Sequence, residues 1–162
     1  PRFVMAPHEQ KRAELVTLAL ALAGPKGERS PLGREVADYF RLGTRGGQRT
    51  GYTAGWDWCA AGACWLGAEV GLGLGVHEWR ITVWELIADA RASGRWREPG
   101  DGGPLVGDLL CFRRKGDPRN PGETGHVETY IGDGRTISAN SPGWKIKEGR
   151  LASPDYVGYV AR

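Results

Sequence analysis

Cys59 and His126 are the two residues of this 162-residue chain whose types and surroundings best suit covalent chemistry. The cysteine lies in Gly55-Trp56-Asp57-Trp58-Cys59-Ala60-Ala61-Gly62-Ala63-Cys64-Trp65-Leu66, an aromatic loop running into small residues that suit a helix. A thiol attacks as thiolate, and a free cysteine has a pKa near ~8.5, so catalysis at neutral pH needs the ionised form to be favoured. A helix start offers partial positive charge and unpaired N–H groups, and an adjacent imidazolium adds a full charge. The same N–H groups are candidates for holding the oxyanion of a tetrahedral intermediate. The chain has three histidines. His8 falls at the edge of the first helix and His77 follows Gly71-Leu72-Gly73-Leu74-Gly75, whereas His126 opens an apolar strand after a Pro/Gly-rich loop. A strand start aims a ring from rigid backbone, so His126 is the expected base.

A Cys/His pair needs a third polar group to fix the imidazole tautomer. Asn140 is the first candidate, Ser138 the second and Glu128 the third. Ser138 and Asn140 share a face of one strand because side chains alternate with period two. A hairpin loop of odd length sets Ser138 opposite His126 with Asn140 diagonally beside it, and an even loop turns both away. Glu128 shares the His126 face but is expected to lie along the strand and not across from the ring.

The elements that position these groups can be read from pattern. Residues 7–23 read as a helix with Pro7 in its first turn and Gly24-Pro25 as its stop. Lys11 and Arg12 before an apolar run ending in Ala-x-Ala resemble a secretory signal, but Glu9, Gln10 and Glu14 favour a buried amphipathic helix. Ser30-Pro31 predicts a second helix through Val36, Tyr39 and Phe40. Asp57 is expected to cap a third, with Cys59 in its first turn. Ile81, Trp84, Ile87 and Ala90 form the stripe of a fourth that stops at Ser93-Gly94. Residues 106–113, 125–132 and 135–141 read as strands, Asp133-Gly134 as a tight hairpin, and residues 144–146 and 156–160 as further strands. Helices first and an antiparallel sheet after predict one α+β domain over residues 1–162, with 1–30 as N-terminal helix and lead-in.

Composition narrows the function. The chain is 40% hydrophobic and 25% charged, with 22 Lys and Arg against 19 Asp and Glu, a net charge of +3. That suits a single core and gives no basic stripe of the kind nucleic-acid binding needs. The apolar run at 15–23 is far below the ~20 residues of a membrane span. Cys59, Cys64 and Cys111 make an odd count without Cys-x-x-Cys spacing, which argues against a disulfide framework or a zinc site. Cys64 lies about 140° around the helix from Cys59, so it and Cys111, in an apolar strand, read as core. No cofactor or metal is called for. Asp108 is expected to hold a turn at a strand entrance. Trp56, Trp58 and Trp144, with Glu128, are candidates to line a substrate groove, although tryptophans are more often core.

Taken in order, Trp58-Cys59-Ala60-Ala61, Gly107-Asp108-Leu109-Leu110-Cys111-Phe112, Gly125-His126-Val127, Tyr130-Ile131-Gly132-Asp133-Gly134 and Ala139-Asn140 resemble the CHAP (cysteine, histidine-dependent amidohydrolase/peptidase) domains. The related NlpC/P60 enzymes share the Gly-His-Val and Tyr-Ile-Gly-Asp-Gly stretches. The resemblance spans residues 39–159 and implies a papain-like fold, a Cys59 nucleophile, a His126 base and cleavage of amide bonds in bacterial peptidoglycan. It implies a monomer acting at the wall, whether secreted, periplasmic or released from a phage-infected cell, and an immunity protein as partner if the chain is an antibacterial effector. Two positions depart from the pattern: Ser138 stands where many relatives have an acid or histidine, and Glu128 where glycine is common. The alternatives are a wall-binding relative without catalysis and a cysteine peptidase or amidase toxin acting on a non-wall amide. A glycosidase needs two facing carboxylates, which the sequence does not assign.

Overall fold

The computed structural model describes residues 7–30, 35, 58–72, 82–140 and 143–162. Helix α1 spans Pro7–Ala23 and buries Leu15, Ala19 and Ala23, a spacing of four that keeps one stripe against the core. It stops at Gly24, whose φ of 74° is the left-handed conformation glycine adopts without strain. Arg29 then donates from Nε to the carbonyl of Leu22, satisfying a terminal acceptor of the helix. Helix α2 spans Cys59–Glu69 and α3 spans Val83–Ala92. The buried residues of α3 are Val83, Leu86, Ile87 and Ala90. Trp84 is only half-buried, so the inward stripe is rotated from the expected one, and Ile81 lies outside the described residues. The helix expected after Ser30 also lies outside them, except for Glu35, which is helical.

The strands are β1 (Glu28–Arg29), β2 (Trp96–Arg97), β3 (Leu109–Arg113), β4 (Gly125–Gly132), β5 (Arg135–Asn140), β6 (Gly143–Lys147) and β7 (Tyr156–Val160). Among the described residues they form a seven-stranded sheet in the order β1-β6-β5-β4-β3-β7-β2, and every pair is antiparallel. The α+β expectation holds in this form, with helices packed on an antiparallel sheet. The strand expected from residue 106 begins at Leu109 instead, because Gly107, with φ of 98°, and Asp108 form a turn. In that turn Asp108 accepts from the Leu105 N–H at 2.8 Å and the Arg162 N–H at 2.9 Å, and it pairs with Arg12. The buried carboxylate thereby ties α1, the entrance of β3 and the C-terminal end together. The two-residue edge strands β1 and β2 escaped the sequence reading because two residues carry no alternation.

Helix α2 explains the run of small residues. Ala60, Ala61, Gly62, Ala63 and Cys64 are all buried as the helix packs on β4 and β5. A Cβ at Gly62 would stand 2.7 Å from the Ala139 Cβ and 3.1 Å from Trp58, so only glycine permits this approach. Val127 and Ile131 of β4 join the core beneath the helices. By alternation, His126 and Glu128 turn to the other face.

Candidate active site

Cys59 is the first residue of α2, buried with 4% exposure. The residue before it in the N-cap position is Trp58, which makes no side-chain capping bond. The cap expected from Asp57 falls outside the described residues. With no side-chain cap from Trp58, the first-turn N–H groups remain candidates for an oxyanion.

His126, the second residue of β4, is also buried, at 9% exposure. Its Nε2 lies 3.0 Å from Glu128 Oε2 and 3.0 Å from Ser138 Oγ. Its Nδ1 is buried with no hydrogen-bond partner among the described residues. Burial acts to lower the pKa of the ring, but interaction with the Cys59 sulfur and then with Glu128 outweighs it, and the value is pushed up to about 9. The ring therefore carries its proton at neutral pH, beside the sulfur and above a carboxylate.

Glu128 is the best-anchored group in the site. Its side chain is fully buried, and the carboxylate accepts from His126 Nε2, Thr136 Oγ1 at 2.7 Å, Lys147 Nζ at 3.0 Å and Arg150 Nε at 2.8 Å and Nη2 at 3.0 Å. Burial acts to raise the carboxyl pKa, but the hydrogen bonds from His126, Arg150 and Thr136 prevail and hold it far below the ordinary carboxylate range. The register supplies these donors: Glu128 faces Ser138 on β5, and Thr136 faces Lys147 on β6. Arg150 comes from a 3-10 turn (Arg150–Ala152), and its guanidinium lies 4.5 Å over the Phe112 ring, which fixes its plane.

The hairpin loop decides which face Ser138 takes. Asp133 and Gly134 form a two-residue loop with φ of 55° and 73°, as a type I′ turn requires. An even loop alone would turn Ser138 away from His126. After the pair Gly132 with Arg135, however, the ladder resumes at Tyr130 with Thr136, leaving Ile131 as an extra residue. This β-bulge shifts the register by one and flips β5 so that Ser138 returns to the Glu128 face. Ser138 stands opposite Glu128, not opposite His126 as the odd-loop alternative had it, and reaches the ring diagonally.

Several expected roles change. Glu128 was expected along the strand and behind the other two candidates, yet its carboxylate reaches the ring. It is also not a groove residue, because it is fully enclosed. Asn140 closes β5 opposite Gly143, and its side chain lies outside the described residues; Glu128 and Ser138 are the polar groups on Nε2 among those described. Trp58 and Trp144 are core residues at 4% and 1% exposure, packed edge to face with centroids 5.2 Å apart. They do not line a groove, since α2 presses both against β5. Trp56, His77 and residues 43–53 lie outside the described residues, and His8 is exposed on α1. Cys64 and Cys111 are buried thiols that form no disulfide among the described residues, and burial, with Cys59 nearby, pushes the Cys111 thiol pKa far up. The sequence reading missed Arg150, Lys147 and Thr136. Period two links Thr136 to the Ser138 face, but nothing local signals that two cations converge on Glu128.

A cleft of about 390 Å³ opens beside His126 and Ser138, with Phe112 in its wall. Among the described residues no cluster of three or more His, Cys, Asp or Glu side chains is arranged to hold a metal ion, and no helix is long and apolar enough to cross a membrane. No protein-family model matches the chain, and no curated protein matches it in sequence.

Proposed function

We propose that this chain is a cysteine peptidoglycan hydrolase of the CHAP and NlpC/P60 kind, on a papain-like scaffold, cleaving an amide bond of the bacterial wall. The carrying observation is Cys59 at the first residue of α2 together with a buried His126 whose Nε2 is held by Glu128 and Ser138. With Nε2 engaged, Nδ1 is the nitrogen left to exchange a proton with the sulfur and the substrate. The Cys59 thiolate adds to the amide carbonyl carbon, and the first-turn N–H groups of α2 face the developing oxyanion. His126 gives its proton to the amine nitrogen as the C–N bond breaks, leaving a thioester. Water then loses a proton to His126 and attacks the thioester carbon, releasing the acid and restoring the thiolate and imidazolium. Glu128 and Ser138 are positioning residues in this scheme, keeping the ring charged and oriented.

The test is mass spectrometry of fragments released from defined peptidoglycan, which reads hydrolysis and bond identity together. The wild-type chain is expected to release soluble fragments with new amino groups, and the Cys59→Ala protein none. Sedimentation with the wall without release would replace this reading by the wall-binding one. New reducing ends without new amines would replace it by a glycosidase.

A further inference from the structure

Cations dominate the lining of the cleft beside His126. Among the described residues its lining brings Arg113, Arg114, Lys145, Lys147 and Arg150 around one carboxylate, Asp155. Some of that charge is already matched: Lys147 and Arg150 hold Glu128 beneath the floor, and Arg113 lies 3.5 Å from Asp117. Among the described residues, counting Arg113, Arg119, Lys145, Lys147, Arg150 and protonated His126 against Glu28, which stands opposite Lys145 on β1, Glu128, Asp117 and Asp155 leaves 6 − 4, or two positive charges, with Arg114 set aside. Lys145 is exposed and makes no ion pair or hydrogen bond among the described residues, so its ammonium is available. It stands on β6 opposite Ser138, whose hydroxyl also lines the cleft and touches His126. Neighbouring strands are about 4.8 Å apart, so β6 lies two spacings, about 10 Å, from the β4 strand that carries His126, and the cation stands one strand beyond Ser138.

Such an excess of cations in a concave wall focuses potential on whatever enters. We infer that the cleft takes a free carboxylate on the peptide residue adjoining the scissile amide, so that the substrate is an acidic wall peptide and not its amidated form. This rests on the hydrolase reading for the position of the scissile bond. A carboxylate is the anion chosen because the reaction runs on a peptide chain one residue away. Phosphate of a polyol-phosphate wall polymer shares the charge and is separated by experiment.

The experiment is calorimetric titration of the Cys59→Ala protein with a synthetic wall stem tetrapeptide carrying free carboxylates, with the same peptide fully amidated, and with a glycerol-phosphate trimer. The free acid is expected to bind about tenfold more tightly than the amide, the size of one partly exposed charge-assisted contact, and to weaken with added salt. Lys145→Glu and Arg114→Glu in the same background are expected to erase the difference. Equal binding of acid and amide, no binding of the acid, a preference that survives both reversals, or charge-dependent binding of the trimer alone would each overturn the inference. Turnover by the wild-type chain separates the two readings. Acid binding without release of fragments keeps the cleft and sinks the hydrolase, whereas equal kcat/KM on acid and amidated wall sinks the cleft and keeps the hydrolase.

Discussion

Replacing Glu128 by glutamine removes one charge while keeping the side chain's shape. Glu128 Oε1 serves Thr136 and Arg150 Nε, and Oε2 serves His126, Lys147 and Arg150 Nη2. A glutamine retains an acceptor at the first position but sets an NH2 group against three donors at the second. Breaking a buried ion pair from one side costs about 3–5 kcal/mol. Lys147 and Arg150 remain 32% and 22% exposed, so water recovers part of that, and the expected loss is about 2–4 kcal/mol. For a chain of this size that corresponds to a fall in Tm of about 5–15 °C. The imidazole should respond as well. A His126 pKa raised from 6.5 to about 9 corresponds to about 3 kcal/mol of stability, present below 6.5 and lost as pH rises through 9. Glu128 contributes in the opposite sense: its carboxyl is held low, so its share is present above about 4.3 and lost only in strong acid. The network as a whole is thus strongest at about pH 4.5–6.5 and weakens toward pH 9. In Glu128→Gln the His126 pKa should fall, with the larger Cys59 contribution left in place, and the alkaline loss of stability should become shallower. Imidazole NMR titration and thermal unfolding at pH 6 and 9 measure both effects. An unchanged His126 pKa in a folded Glu128→Gln protein would refute the assignment of Glu128 as the group that holds the ring.

The rate of Cys59 alkylation and of wall turnover should vanish in Cys59→Ala, while Cys64→Ala and Cys111→Ala keep turnover and lose about 1–2 kcal/mol of stability from small core cavities; loss of turnover in a folded Cys111→Ala protein would count against Cys59 as sole nucleophile. Ser138→Ala, which removes one contact to Nε2, should lower kcat by about tenfold with KM little changed, and a larger fall for Asn140→Ala than for Ser138→Ala in the same assay would restore Asn140 as the principal positioning group. Gly62→Ala gains helix propensity worth about 1 kcal/mol but pushes a methyl group into Ala139 and Trp144, so a net loss of about 1–2 kcal/mol and slower Cys59 alkylation are expected. A Tm at or above wild type would show that α2 can lift from the sheet without cost.

Much was legible locally. Composition and periodicity placed α1 and the strands 125–132 and 156–160 at their observed bounds, because each has its own stop signals and its own apolar face. Cys59 at a helix start and His126 at a strand start were equally plain, since backbone type and side-chain identity are local properties. The tryptophans were not: whether Trp58 and Trp144 face substrate or core depends on how closely α2 lies on β5, which Gly62 decides through a contact with a residue 77 positions away.

What holds His126 was decided by the tertiary structure alone. The sequence provided Ser138, Asn140 and Glu128 as polar groups of the right spacing, and it marked Asp133-Gly134 as the turn. It could not provide the sign of the register, because a two-residue turn points Ser138 away and a single extra residue, Ile131, points it back. Nor could it bring Arg150 and Lys147 onto Glu128, since that meeting depends on the pairing of three strands and on the turn that follows them. Chemistry-bearing residues are written one at a time, but the face each one occupies is a property of the whole sheet, where one inserted residue reverses every side chain beyond it.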